Sequence, residues 1–132
     1  MMILDSSIWV AWFDVDDSQH REAQELARSI HEPIVVPEYV VAEVCTVLTR
    51  KAGKQTALLF IQTVLENKQV DILFSSPALF STTLKEFLAD SHGALSFTDR
   101  ALAVLSRMYR VATFDKALQK EITKQDEQQK RP

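Results

Sequence analysis

The chain has 132 residues, 46% of them hydrophobic and 25% charged, which suits one globular domain whose core needs no disulfide or structural metal. Its single cysteine, Cys45, excludes an internal disulfide, and no apolar run approaches the ~18 residues needed to cross a membrane. The net charge of −3 lacks the basic footprint usual for a nucleic-acid partner, although divalent ions bound at one site would offset it.

The first residues, MMILDSSIWVAWF, are apolar but short, carry no basic leader and enclose Asp5. They make a poor signal peptide, and the protein is expected to be soluble and cytoplasmic. Met2–Leu4 is a short apolar run that suits a buried strand. Ser6–Phe13 reads as a helix carrying Ile8, Trp9, Trp12 and Phe13, which either pack in the core or supply part of a partner interface. A second helix runs from about Ser18 to Ile30, and Ile34–Val36 is the next strand.

Pro37–Ala52 is helical, with Val40, Val44, Val47 and Leu48 on one face, and Cys45 packs in this stretch as a small hydrophobe. Lys54–Asn67 is helical, with Leu58, Ile61 and Leu65 recurring. Val70–Phe74 is a strand and Pro77–His92 a helix, with Ser76 as its N-cap. Asp99–Tyr109 is a helix with Ala101, Leu102, Leu105 and Met108 as its stripe. Val111–Phe114 is the last strand, followed by a short helix over Lys116–Ile122. Gly53 and Gly93 follow long helical patterns and suit C-caps. Residues 1–122 form one domain, and Thr123–Pro132, with no apolar residue, reads as a polar flexible tail.

Short β-branched runs alternating with helices predict an α/β fold, a parallel sheet covered by helices. Asp5 directly follows the first strand and Asp115 the last. Ligands of open parallel sheets bind beyond the carboxyl ends of strands. If the first and last strands are neighbours, both carboxylates face one crevice, and Asp99, opening a helix, reaches the same edge. Glu43 borders the apolar stripe of its helix, and Glu38 occupies the opposite border; periodicity does not choose between them. Clustered carboxylates repel unless something positive sits between them, and they suit hard cations such as Mg²⁺ or Mn²⁺. No His/Cys spacing suggests zinc, and His20, His31 and His92 read as solvated. Taken singly, each aspartate also suits a helix cap.

These residues resemble the PIN-domain ribonucleases, and most closely the small VapC-type toxins of toxin–antitoxin pairs. The resemblance is carried by Ile3-Leu4-Asp5-Ser6-Ser7, Val40-Val41-Ala42-Glu43-Val44, Leu95-Ser96-Phe97-Thr98-Asp99 with Ala101, and Ala112-Thr113-Phe114-Asp115. It implies a PIN-like three-layer fold, with a central mainly parallel sheet of four or five short strands flanked by helices. It implies that Asp5, Glu43, Asp99 and Asp115 hold one or two Mg²⁺ or Mn²⁺ ions, and it selects Glu43 over Glu38. Ser7 or Ser6 would support the first aspartate, and Thr113 borders the fourth. Arg100, where a small residue is common, would balance charge, touch the RNA backbone or face solvent. Arg50, two turns after Glu43, is a second candidate phosphate contact. Leu118 stands where an aromatic is frequent. The resemblance further implies an RNA substrate, a homodimer and a small antitoxin partner, while other PIN proteins process RNA without an antitoxin.

Two other classes compete. An aspartate after the first strand also suits phosphotransfer, but Ser7 stands where the haloacid-dehalogenase pattern needs a second aspartate. In a receiver-like reading Asp14, Asp16 and Asp17 come too late, and Lys116 is misplaced. A non-catalytic interaction module is disfavoured by the presence of all four acids.

Overall fold

The computed structural model describes residues 1–131. Four strands, β1 (Met2–Leu4), β2 (Ile34–Pro37), β3 (Val70–Leu73) and β4 (Arg110–Ala112), form one sheet in the order β3-β2-β1-β4. Every pairing is parallel. The helices are α1 (Ser6–Phe13), α2 (His20–Ser29), α3 (Glu38–Lys51), α4 (Lys54–Glu66), α5 (Pro77–Ala89), α6 (Phe97–Leu105) and α7 (Lys116–Gln129).

Helices α1, α3 and α4 pack on one another in turn, with α2 against α1, and α6 packs against α5 and α7. The chain moves outward from β1 to β2 to β3 and then crosses back to β4 beyond β1. Right-handed crossovers therefore put α1–α4 on one face of the sheet and α5–α6 on the other. The result is the expected three-layer α/β arrangement with a four-stranded sheet. The reversal of strand order falls between β1 and β4, and open α/β sheets bind their ligands at such a point.

β1 and β2 are buried at every residue, as strands covered on both faces must be. Trp9 is completely buried and stacks on Trp12, while Phe60 meets both Trp9 and Phe13 edge-on. Ile8 and Trp9 are core residues, and Trp12 and Phe13, partly buried, pack against that core.

Several sequence expectations shift. The apolar period of α4 is correct but its phase is wrong: Ala57, Phe60 and Val64 are buried, whereas Leu58 and Leu65 are exposed. α6 begins two residues earlier, at Phe97, because Ser96 and Asp99 form a capping box. It ends at Leu105, so Met108 lies outside it and is 76% exposed. β4 ends at Ala112, which leaves Thr113 and Phe114 between the strand and Asp115.

The residues read as a tail from Thr123 instead continue α7 to Gln129. Lys, Gln and Glu are good helix formers, and Gln125 extends the inner stripe of Leu118 and Ile122 while being 8% exposed. Gly53 has φ 95°, a backbone conformation only glycine adopts without strain, and it separates α3 from α4. Gly93 is not a C-cap, since α5 ends at Ala89 with Asp90 as its C-cap. A side chain at Gly93 would collide with the Asp90 carboxylate, which lies against its backbone.

Candidate active site

Register explains how the first carboxylate is held. β1 and β4 pair Leu4 with Ala112, and the ladder continues as the Asp5 N–H donates to the Ala112 carbonyl at 2.9 Å. Asp5 therefore lies beside Thr113. The Thr113 hydroxyl donates to Asp5 Oδ2 at 2.6 Å, and the Ser7 hydroxyl donates to the same oxygen at 3.1 Å. The Ser6 backbone N–H donates to Asp5 Oδ1 at 2.6 Å, making Asp5 the N-cap of α1. Asp5 is 2% exposed, so this ring of donors satisfies a carboxylate that would otherwise be costly to bury.

Ser7 and Thr113 also organise the fourth acid. The Phe114 N–H donates to Ser7 Oγ at 3.1 Å, and the Asp115 N–H donates to Thr113 Oγ1 at 2.9 Å. Asp115 Oδ1 accepts from the Leu118 N–H at 3.0 Å and caps α7. Asp99 is the third position of the α6 capping box; its Oδ2 accepts from the Ser96 N–H at 3.3 Å, and its own N–H donates to Ser96 Oγ at 3.1 Å. All three aspartates are thus caps, as their positions in sequence allow, and all three stand at the carboxyl edge of the sheet.

The acids feel one another's charge. Burial pushes the Glu43 carboxyl above the ordinary carboxylate range; the charge of Asp5 raises it further, a nearby Ser6 hydroxyl partly offsets this, and Asp99 adds to the rise. Burial likewise pushes Asp99 up, countered by the Ser96 backbone and side chain and reinforced by the charges of Asp5 and Asp115. The four predicted acids therefore share one electrostatic neighbourhood at the sheet edge. Glu38 is elsewhere: its Oε1 accepts from the Ser75 N–H at 2.5 Å and ties the start of α3 to the end of β3.

The donor chemistry fits a hard divalent cation, and one atom points to it directly. Glu43 Oε2 is buried with no hydrogen-bond partner among the described residues. An orphaned oxygen on a carboxylate that feels the charges of Asp5 and Asp99 suits a cation. Yet no three His, Cys, Asp or Glu side chains among the described residues stand close enough together to grip an ion as they are. Like charges with nothing positive between them stay apart, and Asp99 and Asp115 are each tied to a helix cap.

The two arginines differ. Arg50 is exposed and lines a shallow groove with Tyr39, Glu43, Thr46 and Thr98. Arg100 is 5% exposed and pairs with Asp90 at 2.8 Å and Glu121 at 3.3 Å. It is a buried brace joining the end of α5 to α6 and α7, not a residue presented to RNA or solvent. Its partners lie ten and twenty-one residues away, and only the fold brings them together. Of the histidines, His31 and His92 are exposed, while His20 Nδ1 meets the Ala11 carbonyl at 2.7 Å and joins α2 to α1.

A family model for the PIN domain matches residues 2–124. The chain belongs to the PIN domain family. No curated protein matches it in sequence. Among solved structures, this PIN domain is similar to the crystal structure of Mycobacterium tuberculosis VapC20, described as a sarcin-ricin loop cleaving toxin. The TM-score is 0.83 at 20% identity, over 91% of this chain and 94% of that one. At that identity the likeness concerns the fold, so the chemistry of this PIN domain rests on its own residues.

Proposed function

We propose that this chain is a metal-dependent ribonuclease that hydrolyses RNA phosphodiester bonds and is the toxin of a VapBC-type toxin–antitoxin pair. The observation that carries the reading is the charge coupling of Glu43 and Asp99 to Asp5 and Asp115 at the β1/β4 edge, with Glu43 Oε2 left unpartnered. Membership of the PIN family and the likeness to a toxin that cleaves the sarcin-ricin loop support RNA as the substrate.

In this reading Asp5, Glu43, Asp99 and Asp115 hold Mg²⁺ or Mn²⁺. Such ions, when bound, supply a nucleophilic water at neutral pH and neutralise charge on the phosphate. The chain's own residues do the positioning. Thr113 and Ser7 fix Asp5 Oδ2 in orientation, and Thr113 links that oxygen to the backbone of Asp115. Burial, and after it the charge of Asp5, holds the Glu43 carboxyl above the ordinary carboxylate range, so a positive charge beside it would be favourable. Arg50 lines the groove beside Glu43 and is placed to meet a phosphate.

The partners proposed with this function are a small antitoxin and a second copy of the chain, in the cytoplasm. No helix among the described residues is long and apolar enough to cross a membrane. Surface is available for partners: Phe80, Leu84, Phe87 and Leu88 of α5 are between 39% and 70% exposed. An apolar groove of about 310 Å³ opens beside α5, lined by Leu73, Leu79, Val104 and Met108 among others.

The test is cleavage of labelled RNA with Mn²⁺ and with EDTA. Glu43→Gln and Asp5→Asn should abolish cutting, whereas Glu38→Gln should retain it and lose about 1 kcal/mol of stability with its bond to Ser75. Cleavage that survives EDTA, or that survives Asp5→Asn, refutes the assignment.

A further inference from the structure

α7 carries its charges the wrong way round. Lys116, Lys120 and Lys124 repeat every four residues, so they lie in one stripe on the helix. The stripe faces away from the buried side formed by Leu118 and Gln125, and all three lysines are exposed. Cations near a helix N-terminus oppose the macrodipole, and like charges at this spacing repel by about 0.2–0.5 kcal/mol per pair. The first turn of α7 holds no acidic residue, so the one acid at this end is the N-cap Asp115, whose Oδ1 is taken by the Leu118 N–H. None of the three lysines forms an ion pair among the described residues, whereas Glu121, on another face, is engaged by Arg100. Glu127 is the one acid on the lysine face, and it lies at the far end of the stripe.

A row of exposed lysines without ion pairs among the described residues is a surface suited to an anionic partner. Its position says which one. Lys116 follows Asp115 directly, so the stripe starts at the rim of the acidic cluster and leads away from it. An acidic site in a chain of net charge −3 repels a polyanion unless a cationic surface adjoins it. At 1.5 Å per residue the stripe extends about 12 Å along the helix. That is long enough to follow several phosphates of one strand, whose axial rise is about 3.4 Å per nucleotide.

We propose that Lys116, Lys120 and Lys124 form a track for the RNA backbone that delivers the strand to the Asp5/Asp115 edge. The track rests on the nuclease reading and adds to it the path the substrate takes. The lysines are positioning residues: they act on affinity and approach, not on the reacting phosphate.

The experiment measures binding of a short fluorescein-labelled single-stranded RNA by anisotropy in EDTA, where nothing is cut, across a range of KCl concentrations. The variant is Lys116→Gln, Lys120→Gln and Lys124→Gln together; a charge-matched control is Arg28→Gln, Lys68→Gln and Lys85→Gln. Releasing three phosphate contacts should flatten the slope of log K against log salt by about 2. The control should keep the wild-type slope. In Mn²⁺, cleavage by the lysine variant should show a raised KM with kcat unchanged. An unchanged slope in the lysine variant, or an equal loss in the control, overturns the track and leaves the nuclease reading standing. If the lysine variant keeps the RNA slope but loses an acidic protein partner instead, the track is likewise overturned. Wild-type protein that neither binds nor cuts RNA refutes the nuclease reading, and the track falls with it.

Discussion

Replacing Asp99 by Asn separates a cap from a metal ligand, because the amide preserves one role and not the other. In the capping box the Ser96 hydroxyl accepts the backbone N–H of residue 99 at 3.1 Å, which no side-chain change removes. The return bond, from the Ser96 N–H to Asp99 Oδ2, is long at 3.3 Å, and an amide oxygen can accept it equally well. The cap therefore loses little, on the order of 0.5 kcal/mol or less. Against this, the variant removes a charge that is raised in energy by burial and by Asp5 and Asp115. Without metal, Asp99→Asn should melt at or above the wild-type temperature.

With metal the order should reverse. An ion present at 100 times its Kd stabilises the folded chain by about 2.7 kcal/mol. For 132 residues, an unfolding entropy of about 2.1 cal/mol/K per residue converts this to a rise of about 10 °C. If the amide weakens binding about 100-fold, the same Mn²⁺ concentration gives only about 0.4 kcal/mol, a rise of 1–2 °C. The assay is thermal unfolding by circular dichroism, with EDTA and across a Mn²⁺ titration. A variant that shows the wild-type Mn²⁺ shift, or one that loses more than about 1 kcal/mol in EDTA and responds normally to Mn²⁺, refutes the reasoning and leaves Asp99 a cap only.

Two further outcomes follow from the same geometry. Thr113→Val removes the 2.6 Å donor to a buried carboxylate and the acceptor of the Asp115 N–H, and should cost about 2–3 kcal/mol in urea unfolding. Thr113→Ser keeps the hydroxyl and should stay within about 1 kcal/mol of wild type; equal losses in the two variants would mean that the methyl group, not the hydrogen bonds, matters. The second outcome concerns pH. Folding raises the Glu43 and Asp99 carboxyls above their ordinary values of 4.5 and 3.8, so the folded chain holds those protons more tightly than the unfolded one. Their contribution to stability is then full below the ordinary carboxylate range and is lost as pH rises through the raised values. In EDTA, the stability of wild type relative to a Glu43→Gln/Asp99→Asn double variant should fall as pH rises above the ordinary carboxylate values. A difference that stays flat contradicts the coupling.

The alternation of short β-branched runs with helical stretches was enough to predict the parallel sheet, because both periods are local properties of the chain. Asp5 and Asp115 could be expected at one edge because each sits close behind a strand. What the sequence withheld was phase and pairing. In α4, Leu58-Leu59-Phe60-Ile61 offers an apolar residue at every angle, so period alone could not say that Phe60 points inward. The fate of Arg100 depended on Asp90 and Glu121, ten and twenty-one residues away, and nothing local announces such a partnership. α7 ran past its expected end because Gln125 filled an inner position that an apolar rule reserves for apolar residues. Glu43 was separable from Glu38 only by resemblance, until the fold gave Glu38 the Ser75 N–H as its partner.

The opposition between cap and ligand, natural when each aspartate is read alone, dissolves in the folded chain. Helix N-termini and strand C-termini share one edge of a parallel sheet, so a residue that caps a helix there is already aimed at the ligand crevice. At Asp5 the two oxygens are divided: Oδ1 takes the backbone N–H of Ser6, while Oδ2 is oriented by Thr113 and Ser7. Asp115 caps α7 through Oδ1, with its backbone held by the same threonine. Capping gives each aspartate neighbouring donors that hold it in place against their mutual repulsion. Glu43 caps no helix: it lies mid-helix, half-buried, with one oxygen unpartnered, and burial first and the charge of Asp5 second raise its carboxyl. If a cation organises this edge, Glu43 gains the most from its arrival, and its substitution is the one in which loss of metal binding and gain of metal-free stability should be most sharply opposed.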